Sequence, residues 1–290
     1  MKIDLHSHST HSDGKETVQQ IFQYAAEAGL DALALTDHDT TAGWDEARVE
    51  ANKHGMTFVP GIEITTKHHG VSVHMLAYLP DPTYEPLIQR LKEVRESRET
   101  RIERFVENLK SEYSDINMDR VRETLKEEGK SLGRPHIADV MVNLGIFADR
   151  TEAFDGPLHK EGPFFVPSPG LDTIEAVKLI RAAGGVPVMA HPLARGRGDG
   201  ELVITNAHRE RFVEVIEAGL GGFEVNHREV GDIAREWLTG LAFEFDLVLT
   251  GSSDYHGLLG KPNLLGENTT SLEMLKRIEA QASGSAIQWA

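Results

Sequence analysis

The sequence contains no cysteine among its 290 residues. Disulfide bonds are therefore excluded, as are thiolate nucleophiles and zinc sites built on cysteine ligands. No apolar run approaches the length of about 18 residues that a membrane-spanning helix needs, so we expect no membrane segment. The N-terminus also lacks the basic stretch and apolar run of a signal peptide, and we expect a cytoplasmic protein.

An excess of positive charge is also missing. The chain has 30 Lys and Arg residues against 46 Asp and Glu residues, which gives a formal net charge of −16. Such an acidic surface disfavours binding to duplex DNA. It still permits a small phosphorylated substrate at a site where metal ions supply local positive charge.

Strand and helix patterns alternate along most of the chain. Short apolar runs at 32–36, 186–190 and 222–226 predict buried strands, and amphipathic segments follow them. Thr17 and Gln20 form the T-x-x-Q pattern of a helix capping box. About seven such strand–helix units predict an α/β fold built on a parallel sheet or barrel.

The alternation is interrupted in the middle of the chain. A long, charged and periodic stretch opens this region, and a Pro/Gly-rich loop over residues 155–170 closes it. We predict a helical insert over residues 82–169 that caps the substrate site. The barrel would then consist of residues 1–81 and 170–290.

Ionisable residues collect at or near the ends of six predicted strands. The opening segment DLHSHSTHSDG holds three histidines and two aspartates within residues 4–14. Such groups are costly to hold together unless a cation compensates them. The H-x-H pair directs both rings to one face because side chains alternate along a strand. In α/β barrels, the carboxyl ends of the strands form the functional face.

These residues predict a metal cluster. The first expected site comprises His6, His8, Glu63 and Asp254. The second comprises His74 and His191 with Glu63 as a bridge, and the third comprises Asp13, His38 and His256. Imidazole and carboxylate ligands without sulfur suit manganese, zinc or iron. Two or three such ions would activate a water and hold both the attacking and the leaving oxygen of a phosphoryl transfer.

Two residues of this first segment have alternatives. Asp13 lies in SDG, which is also an ordinary turn sequence. His11 is a substitute for Asp13 as a ligand, although a solvent-facing loop position suits His11 better.

The histidines in polar surroundings are expected at the surface, namely His54, His68, His69, His159 and His208.

The stretch SLGRPHIADVM contains a candidate anion pocket. Arg134 and His136 stand at the start of a predicted helix, where a guanidinium, an imidazole and a helix N-terminus can meet a phosphate. The alternative is a solvated arginine before an ordinary proline-containing helix start. Arg195 and Arg197, which follow a predicted strand, are further candidates for phosphate contact.

Several strand-end residues are candidates for catalysis. His191 or His227 is expected to protonate the leaving oxygen. Asp37 is expected to orient a ligand, and Asn226 is a candidate for substrate contact or for supporting a ligand.

The motifs DLHSHSTHSDG, TDHDT, GIEI, AHP and SSDYHG resemble, in order and spacing, the PHP (polymerase and histidinol phosphatase) phosphoesterases. The resemblance implies a distorted (β/α)7 TIM-like barrel, a metal cluster at the carboxyl ends of the strands, and hydrolysis of phosphate esters. Many members carry a histidine where this chain has Asp13. An aspartate there retains ligation with less positive charge at the third site.

The GRPH-x-A stretch resembles the branch that contains 3′,5′-nucleotide bisphosphatases and a 5′→3′ exoribonuclease. In that branch, the residues matching Arg134 and His136 would hold substrate phosphate. We therefore expect hydrolysis of the 3′-phosphate of a 3′,5′-bisphosphonucleoside, such as adenosine 3′,5′-bisphosphate, to AMP and phosphate. The expected cofactor is two or three manganese ions, with zinc, iron or magnesium as alternatives.

Three other functions stay open at this point. The chain could be an exoribonuclease that acts on short 5′-phosphorylated single-stranded RNA, or a phosphatase of histidinol phosphate. It could also be a non-catalytic metal-binding protein. No obligate protein partner is expected, and the sequence leaves the oligomeric state open.

Overall fold

The computed structural model describes residues 1–125, 132–166, 170–194 and 202–290. Its strands are β1 (Ile3–Asp4), β2 (Ala32–Leu35), β3 (Thr57–His68), β4 (Val71–Tyr78), β5 (Leu171–Asp172), β6 (Val186–Met189), β7 (Gly222–Asn226) and β8 (Val248–Gly251). Its helices are α1 (Val18–Glu27), α2 (Trp44–His54), α3 (Glu85–Leu109), α4 (Met118–Glu123), α5 (Arg134–Asn143), α6 (Arg150–Asp155), α7 (Thr173–Ala182), α8 (Asn206–Glu217), α9 (Asp232–Glu244) and α10 (Leu272–Gln281). Each helix in these ranges is too short or too polar to cross a lipid bilayer.

Seven strands form a nearly closed barrel in the order β1-β2-β3-β4-β6-β7-β8, and β5 pairs with β3 beside it. The first and last strands meet through a bridge between Ser7 and Tyr255. The amide of His8 donates to the Tyr255 carbonyl at 2.8 Å, and the Tyr255 amide donates to the His6 carbonyl at 3.3 Å. The predicted TIM-like α/β barrel is thereby confirmed.

Strand β4 runs in the opposite direction to its two neighbours in the barrel, in contrast to the strands of a fully parallel sheet. It pairs antiparallel with both β3 and β6. The reason is its connection, because His69 and Gly70, with φ of 47° and 78°, make a tight turn that leaves no room for a crossover helix. The start of β4 therefore lies at the same barrel end as the carboxyl end of β3, and His74 lies opposite Thr65.

Alternating side chains divide the barrel residues into two apolar clusters. Ala32 and Ala34 of β2 join a cluster to which six strands contribute, so this cluster fills the barrel interior. Leu33 and Leu35 of the same strand join the cluster that packs the sheet against the surrounding helices. Helix α1 belongs to this outer layer, and the predicted capping box between Thr17 and Gln20 begins it.

A third apolar cluster lies wholly within the inserted region. Its buried members extend from Ile102 to Phe164 and include Phe105 and Met141. A separate core is what a helical cap domain requires. It supports the division into residues 1–81, 82–169 and 170–290, which stays a prediction.

The insert is tied to the barrel by an ion-pair network. Asp139 on α5 accepts two hydrogen bonds from Arg150, both of 2.7 Å, and one of 2.5 Å from Lys15 in the loop before α1. Burial raises the pKa of Asp139, but Arg150 and Lys15 outweigh it and lower the pKa below its ordinary value. The carboxylate thus holds two helices of the insert against the loop that carries the first candidate ligands.

Candidate active site

Strand β1 leads directly into the segment that holds His6 and His8. Both rings are buried, and their Nε2 atoms lie 3.0 Å apart. Asp37 accepts hydrogen bonds from the Ser9 amide at 2.8 Å and from the hydroxyls of Ser9 and Ser12 at 2.6 Å each. Ser12 lies 3.4 Å from Nδ1 of His8. Asp37 therefore positions the loop around His8 and belongs to none of the candidate ligand groups of the described residues.

The turn after these histidines carries Asp13. A side chain at the next position, Gly14, would bring a Cβ within 2.2 Å of the His8 carbonyl oxygen, so only glycine permits this close approach. Oδ1 of Asp13 lies 3.3 Å from Nε2 of His256, and Oδ2 lies 3.8 Å from Nε2 of His38. The SDG sequence is a turn and also delivers a carboxylate to the cluster.

Glu63 lies at the centre of the cluster and is 1% exposed. Five imidazole nitrogens surround its carboxylate, namely Nδ1 of His74 at 2.7 Å and of His38 at 3.3 Å, and Nε2 of His8 at 3.1 Å, of His6 at 3.3 Å and of His191 at 3.4 Å. Burial raises the pKa of Glu63, but the facing imidazoles hold it well below its ordinary value. One ionised carboxylate therefore bridges residues from four separate barrel segments.

The nine predicted ligands all come together in the structure. Their donor atoms form three overlapping groups, each within 4.8 Å: His6, His8, Glu63 and Asp254; His38, Glu63 and His74; and His8, Asp13, His38 and His256. In contrast to the predicted division, His8 and His38 each belong to two groups. His191 lies outside the groups, but its Nε2 lies 3.4 Å from Oε1 of Glu63, and its ring centre lies 5.4 Å from that of His74 and 5.9 Å from that of His6. The role of each side chain as a ligand stays a prediction.

The polar atoms of the cluster fit divalent cations. Within the part of the chain that the structure describes, Oδ1 of Asp13, Oδ1 of Asp254 and Nδ1 of His191 are buried without a hydrogen-bond partner. Buried polar atoms of this kind are costly unless something satisfies them. Carboxylate oxygen and imidazole nitrogen are donors that manganese, zinc and iron accept.

Backbone strain marks two of these positions. His191 and Asp254, each just after a barrel strand, have φ of 30° and 53°. The left-handed region is unfavourable for residues other than glycine and persists where the surroundings fix it. The His191 amide donates to Oε2 of Glu224 at 2.8 Å, and this bond helps to hold the turn.

Glu224 is absent from the predicted site residues and is completely buried in β7. Its Oε1 lies 3.0 Å from Nδ1 of His6 and also accepts from the Ser252 hydroxyl. Burial raises the pKa of Glu224, but His6 and its neighbouring histidines outweigh it and lower the pKa to about 2. A signal was present, because a carboxylate inside the apolar strand GFEVN rarely lacks a partner.

Lys261 is a second residue of the site that is absent from the predicted set. Its Nζ lies 2.6 Å from Oδ2 of Asp254, and the side chain lines a cavity beside the cluster. Its position in a Gly/Pro-rich loop gave no signal of this contact.

A cavity of about 700 Å³ lies between the barrel end and the insert. Glu63 belongs to its floor, and Arg134, Phe154 and Phe165 belong to the wall that the insert contributes. The Arg134 guanidinium lies 5.3 Å from the Phe154 ring centre and 5.4 Å from that of Phe165, and it donates to the Leu158 carbonyl at 3.0 Å. Burial lowers its pKa, yet a guanidinium keeps its charge at neutral pH.

His136 lies near this wall but does not line the described cavity. It is buried, and its Nδ1 accepts from the Gly133 amide at 3.0 Å, which caps helix α5. Burial lowers its pKa, so the ring is neutral at pH 7. Of the anion pocket predicted for His136, the described residues show its contact with the start of helix α5.

The remaining candidates occupy different places. The His227 ring is buried behind His191, with ring centres 5.2 Å apart. Asn226 is exposed and does not line the described cavity. Arg195 and Arg197 lie outside the described residues.

Of the other histidines predicted at the surface, His69 is exposed, whereas His54 and His208 are only partly exposed. His11 faces Glu46 at 3.6 Å, away from the candidate ligand groups, and His159 is exposed. The surface prediction for His68 is wrong, because this side chain is buried and its Nε2 lies 3.0 Å from the Arg211 carbonyl of α8.

Comparisons with known proteins point in one direction. Residues 4–133 match the PHP domain. A Haemophilus influenzae protein named 5′-3′ exoribonuclease is 31% identical, over 88% of this chain and 90% of its own. An Eggerthella lenta protein named phosphoribosyl 1,2-cyclic phosphate 1,2-diphosphodiesterase is 30% identical, over 89% and 95%. A Chromobacterium violaceum protein named 3′,5′-nucleoside bisphosphate phosphatase is 32% identical, over 77% and 76%.

A solved structure extends the likeness to the whole fold. A Bifidobacterium adolescentis protein assigned to the metal-dependent phosphoesterases is 38% identical and superposes with a TM-score of 0.91. The superposition covers 97% of this chain and 96% of that chain.

Proposed function

The chain belongs to the PHP family of metal-dependent phosphoesterases, and we propose that it hydrolyses the 3′-phosphate of a 3′,5′-bisphosphonucleoside. Adenosine 3′,5′-bisphosphate would give AMP and phosphate. The Chromobacterium violaceum relative, named for this substrate class, supports the choice.

One observation carries the proposal. A clamped arginine and two aromatic faces share a single cavity with the carboxylate–imidazole cluster. A bisphosphonucleoside needs three contacts, one for the reacting phosphate, one for the second phosphate and one for the base. The cluster serves the first contact, Arg134 the second, and Phe154 or Phe165 the third, because guanidinium groups bind phosphate and aromatic faces stack on bases.

Two or three divalent ions, with manganese as our first choice, would polarise a water against phosphorus and neutralise the charge that develops on the phosphate oxygens. We assign them to the nine side chains of the cluster. Glu63 contributes an ionised bridging carboxylate, and Glu224 orients His6 toward it. Arg195 and Arg197 stay predicted phosphate contacts.

Proton transfer is proposed for His191 and His227, whose ring centres lie 5.2 Å apart and whose planes are tilted by 44°. His191 lines the cavity, and His227 lies behind it. Nδ1 of His227 accepts from the Glu229 amide at 3.2 Å, which leaves the proton of the neutral ring on Nε2. As the bond between phosphorus and the 3′-oxygen breaks, this pair passes on to the 3′-oxygen the proton that the attacking water gives up.

A second candidate function is 5′→3′ hydrolysis of short 5′-phosphorylated RNA. The Haemophilus influenzae relative favours it. A cavity of about 700 Å³ has room for a terminal nucleotide but not for a duplex. The net charge of −16 disfavours long polyanions.

A substrate panel distinguishes these functions. Rates of phosphate or nucleotide release would be measured with manganese for adenosine 3′,5′-bisphosphate, 3′-AMP, 5′-AMP, histidinol phosphate, a ribosyl 1,2-cyclic phosphate and a short 5′-phosphorylated RNA. We expect the highest kcat/KM for the bisphosphate, with 5′-AMP as the product. A higher kcat/KM for the RNA or the cyclic ester would overturn the proposal, as would equal values for the bisphosphate and 3′-AMP.

A further inference from the structure

We propose that His68, His69 and Glu214 form a second divalent-metal site, separate from the active site, that joins the β3–β4 hairpin to helix α8. His68 ends β3 and His69 begins the turn, whereas Glu214 lies on α8. Oε2 of Glu214 lies 2.7 Å from Nε2 of His69 and 3.3 Å from Nε2 of His68. Two imidazoles therefore converge on one carboxylate oxygen, and the three donor atoms lie within 4.8 Å of one another.

The donor set and its spacing suit zinc. Neighbouring ligand atoms around a tetrahedral zinc ion, with bonds of about 2.1 Å, lie roughly 3.4 Å apart. The two distances to Glu214 are close enough that small side-chain rotations would admit the ion. Two imidazoles and one carboxylate also accept nickel and copper, so we assign the site to the zinc-like borderline metals.

The backbone oxygen of Arg211 lies next to this group. It is 3.0 Å from Nε2 of His68, so without a metal that nitrogen donates its proton to the carbonyl. A bound ion would take the place of the proton, as it must at any histidine ligand. The carbonyl then remains as a nearby oxygen for the ion or for its water.

The exposed ion pair between His69 and Glu214 does not by itself account for the backbone conformation of His69. His68 is buried, whereas the His69 and Glu214 side chains are 49% and 50% exposed. An exposed pair contributes about 1 kcal/mol at most. Yet His69 adopts a φ of 47°, in the left-handed region that favours glycine. A ligand role accounts for a histidine at a turn position where glycine would be less strained.

The site has a consequence for the cavity. The same hairpin contributes Lys67, Gly70, Val71 and Ser72 to the cavity wall, but the three proposed ligands do not line it. A metal ion here would fix this wall to α8 without touching the reacting groups.

Zinc stoichiometry of the full-length protein tests the proposal. Wild type would be compared with His69→Gly and Glu214→Gln after equilibrium dialysis against micromolar zinc and elemental analysis. His69→Gly removes a ligand while suiting the left-handed turn, so it should fold at least as well as wild type. Glu210→Gln, one turn earlier on α8, is the matched control for loss of charge.

We expect wild type and Glu210→Gln to bind one more zinc equivalent than the two site variants. Zinc bound at the active site is common to all four proteins and cancels in the comparison. Zinc should also slow hydrogen exchange over residues 66–73 in wild type and not in His69→Gly. Equal stoichiometry in all four proteins would overturn the proposal, and so would a loss shared by Glu210→Gln.

Discussion

Oε1 of Glu224 lies 3.0 Å from Nδ1 of His6, and both side chains are completely buried. Because Glu224 is ionised, with a pKa of about 2, it accepts the proton on Nδ1 and fixes the orientation of the ring. Nε2 of His6 is thereby directed at Glu63 and Asp254, each 3.3 Å away. This is the geometry of a histidine that a carboxylate prepares for a metal ion.

Glu224→Gln is therefore expected to weaken metal binding and to lower activity about 10- to 100-fold. The glutamine side chain has nearly the same shape as that of glutamate. It lacks the negative charge that holds the His6 ring in its orientation. Activity measured against manganese concentration would reveal the effect as a higher metal requirement. Glu236→Gln, on the exposed face of α9, is the control. An unchanged manganese requirement would show that Glu224 has no such positioning role.

Asp254→Asn is expected to abolish turnover, with a loss of at least about 1,000-fold. The substitution removes a charged oxygen that faces both His6 and His8, and it leaves Lys261 without its partner. Initial rates at saturating manganese would measure the loss. Asp246→Asn is the control, since its side chain is 94% exposed. Near-normal rates for Asp254→Asn would contradict the assignment of the metal centre.

Arg134→Ala is expected to lower kcat/KM about 10- to 100-fold, because a charge-assisted bond to phosphate is worth about 1.5 to 3 kcal/mol. Arg134→Lys should recover little of this, because an ammonium group cannot replace a planar guanidinium between Phe154 and Phe165. Steady-state kinetics on the bisphosphate would test both variants, with the exposed Arg120→Ala as the control. A kcat/KM within twofold of wild type would rule out the proposed contact.

Asp139→Asn is expected to destabilise the protein by about 2 kcal/mol at neutral pH, because it leaves Arg150 and Lys15 without their shared carboxylate. The pKa of Asp139 is lower in the folded protein than its ordinary value of 3.8. Its stabilising contribution is therefore complete above that value and disappears as the pH falls through the folded-state pKa.

Urea unfolding of wild type and Asp139→Asn across this pH range would test the prediction. The difference in the free energy of unfolding should stay constant above about pH 5 and shrink toward acid pH. A difference that is independent of pH down to the acid limit would show that the carboxylate charge does not stabilise the contact between insert and barrel.

Much of the candidate site could be predicted from local patterns. The spacing of His6 and His8 directs both rings to one side of a strand, and Glu63 and Asp254 also follow strand patterns. The carboxyl ends of barrel strands meet at one face, so residues far apart in the sequence were expected together. Glu224 could not be assigned in this way, because nothing around it in the sequence identifies His6, 218 positions away, as its partner.

The sequence by itself determined the chemistry of this protein. It supplies nitrogen and oxygen ligands without sulfur, an acidic surface, and the order of strands that carries the ligands. The tertiary structure decided how those ligands share ions. The antiparallel direction of β4 brings His74 to Glu63, and the bridge between Ser7 and Tyr255 closes the barrel around both. Strand direction and barrel closure depend on contacts between distant segments, and a local sequence pattern does not encode them.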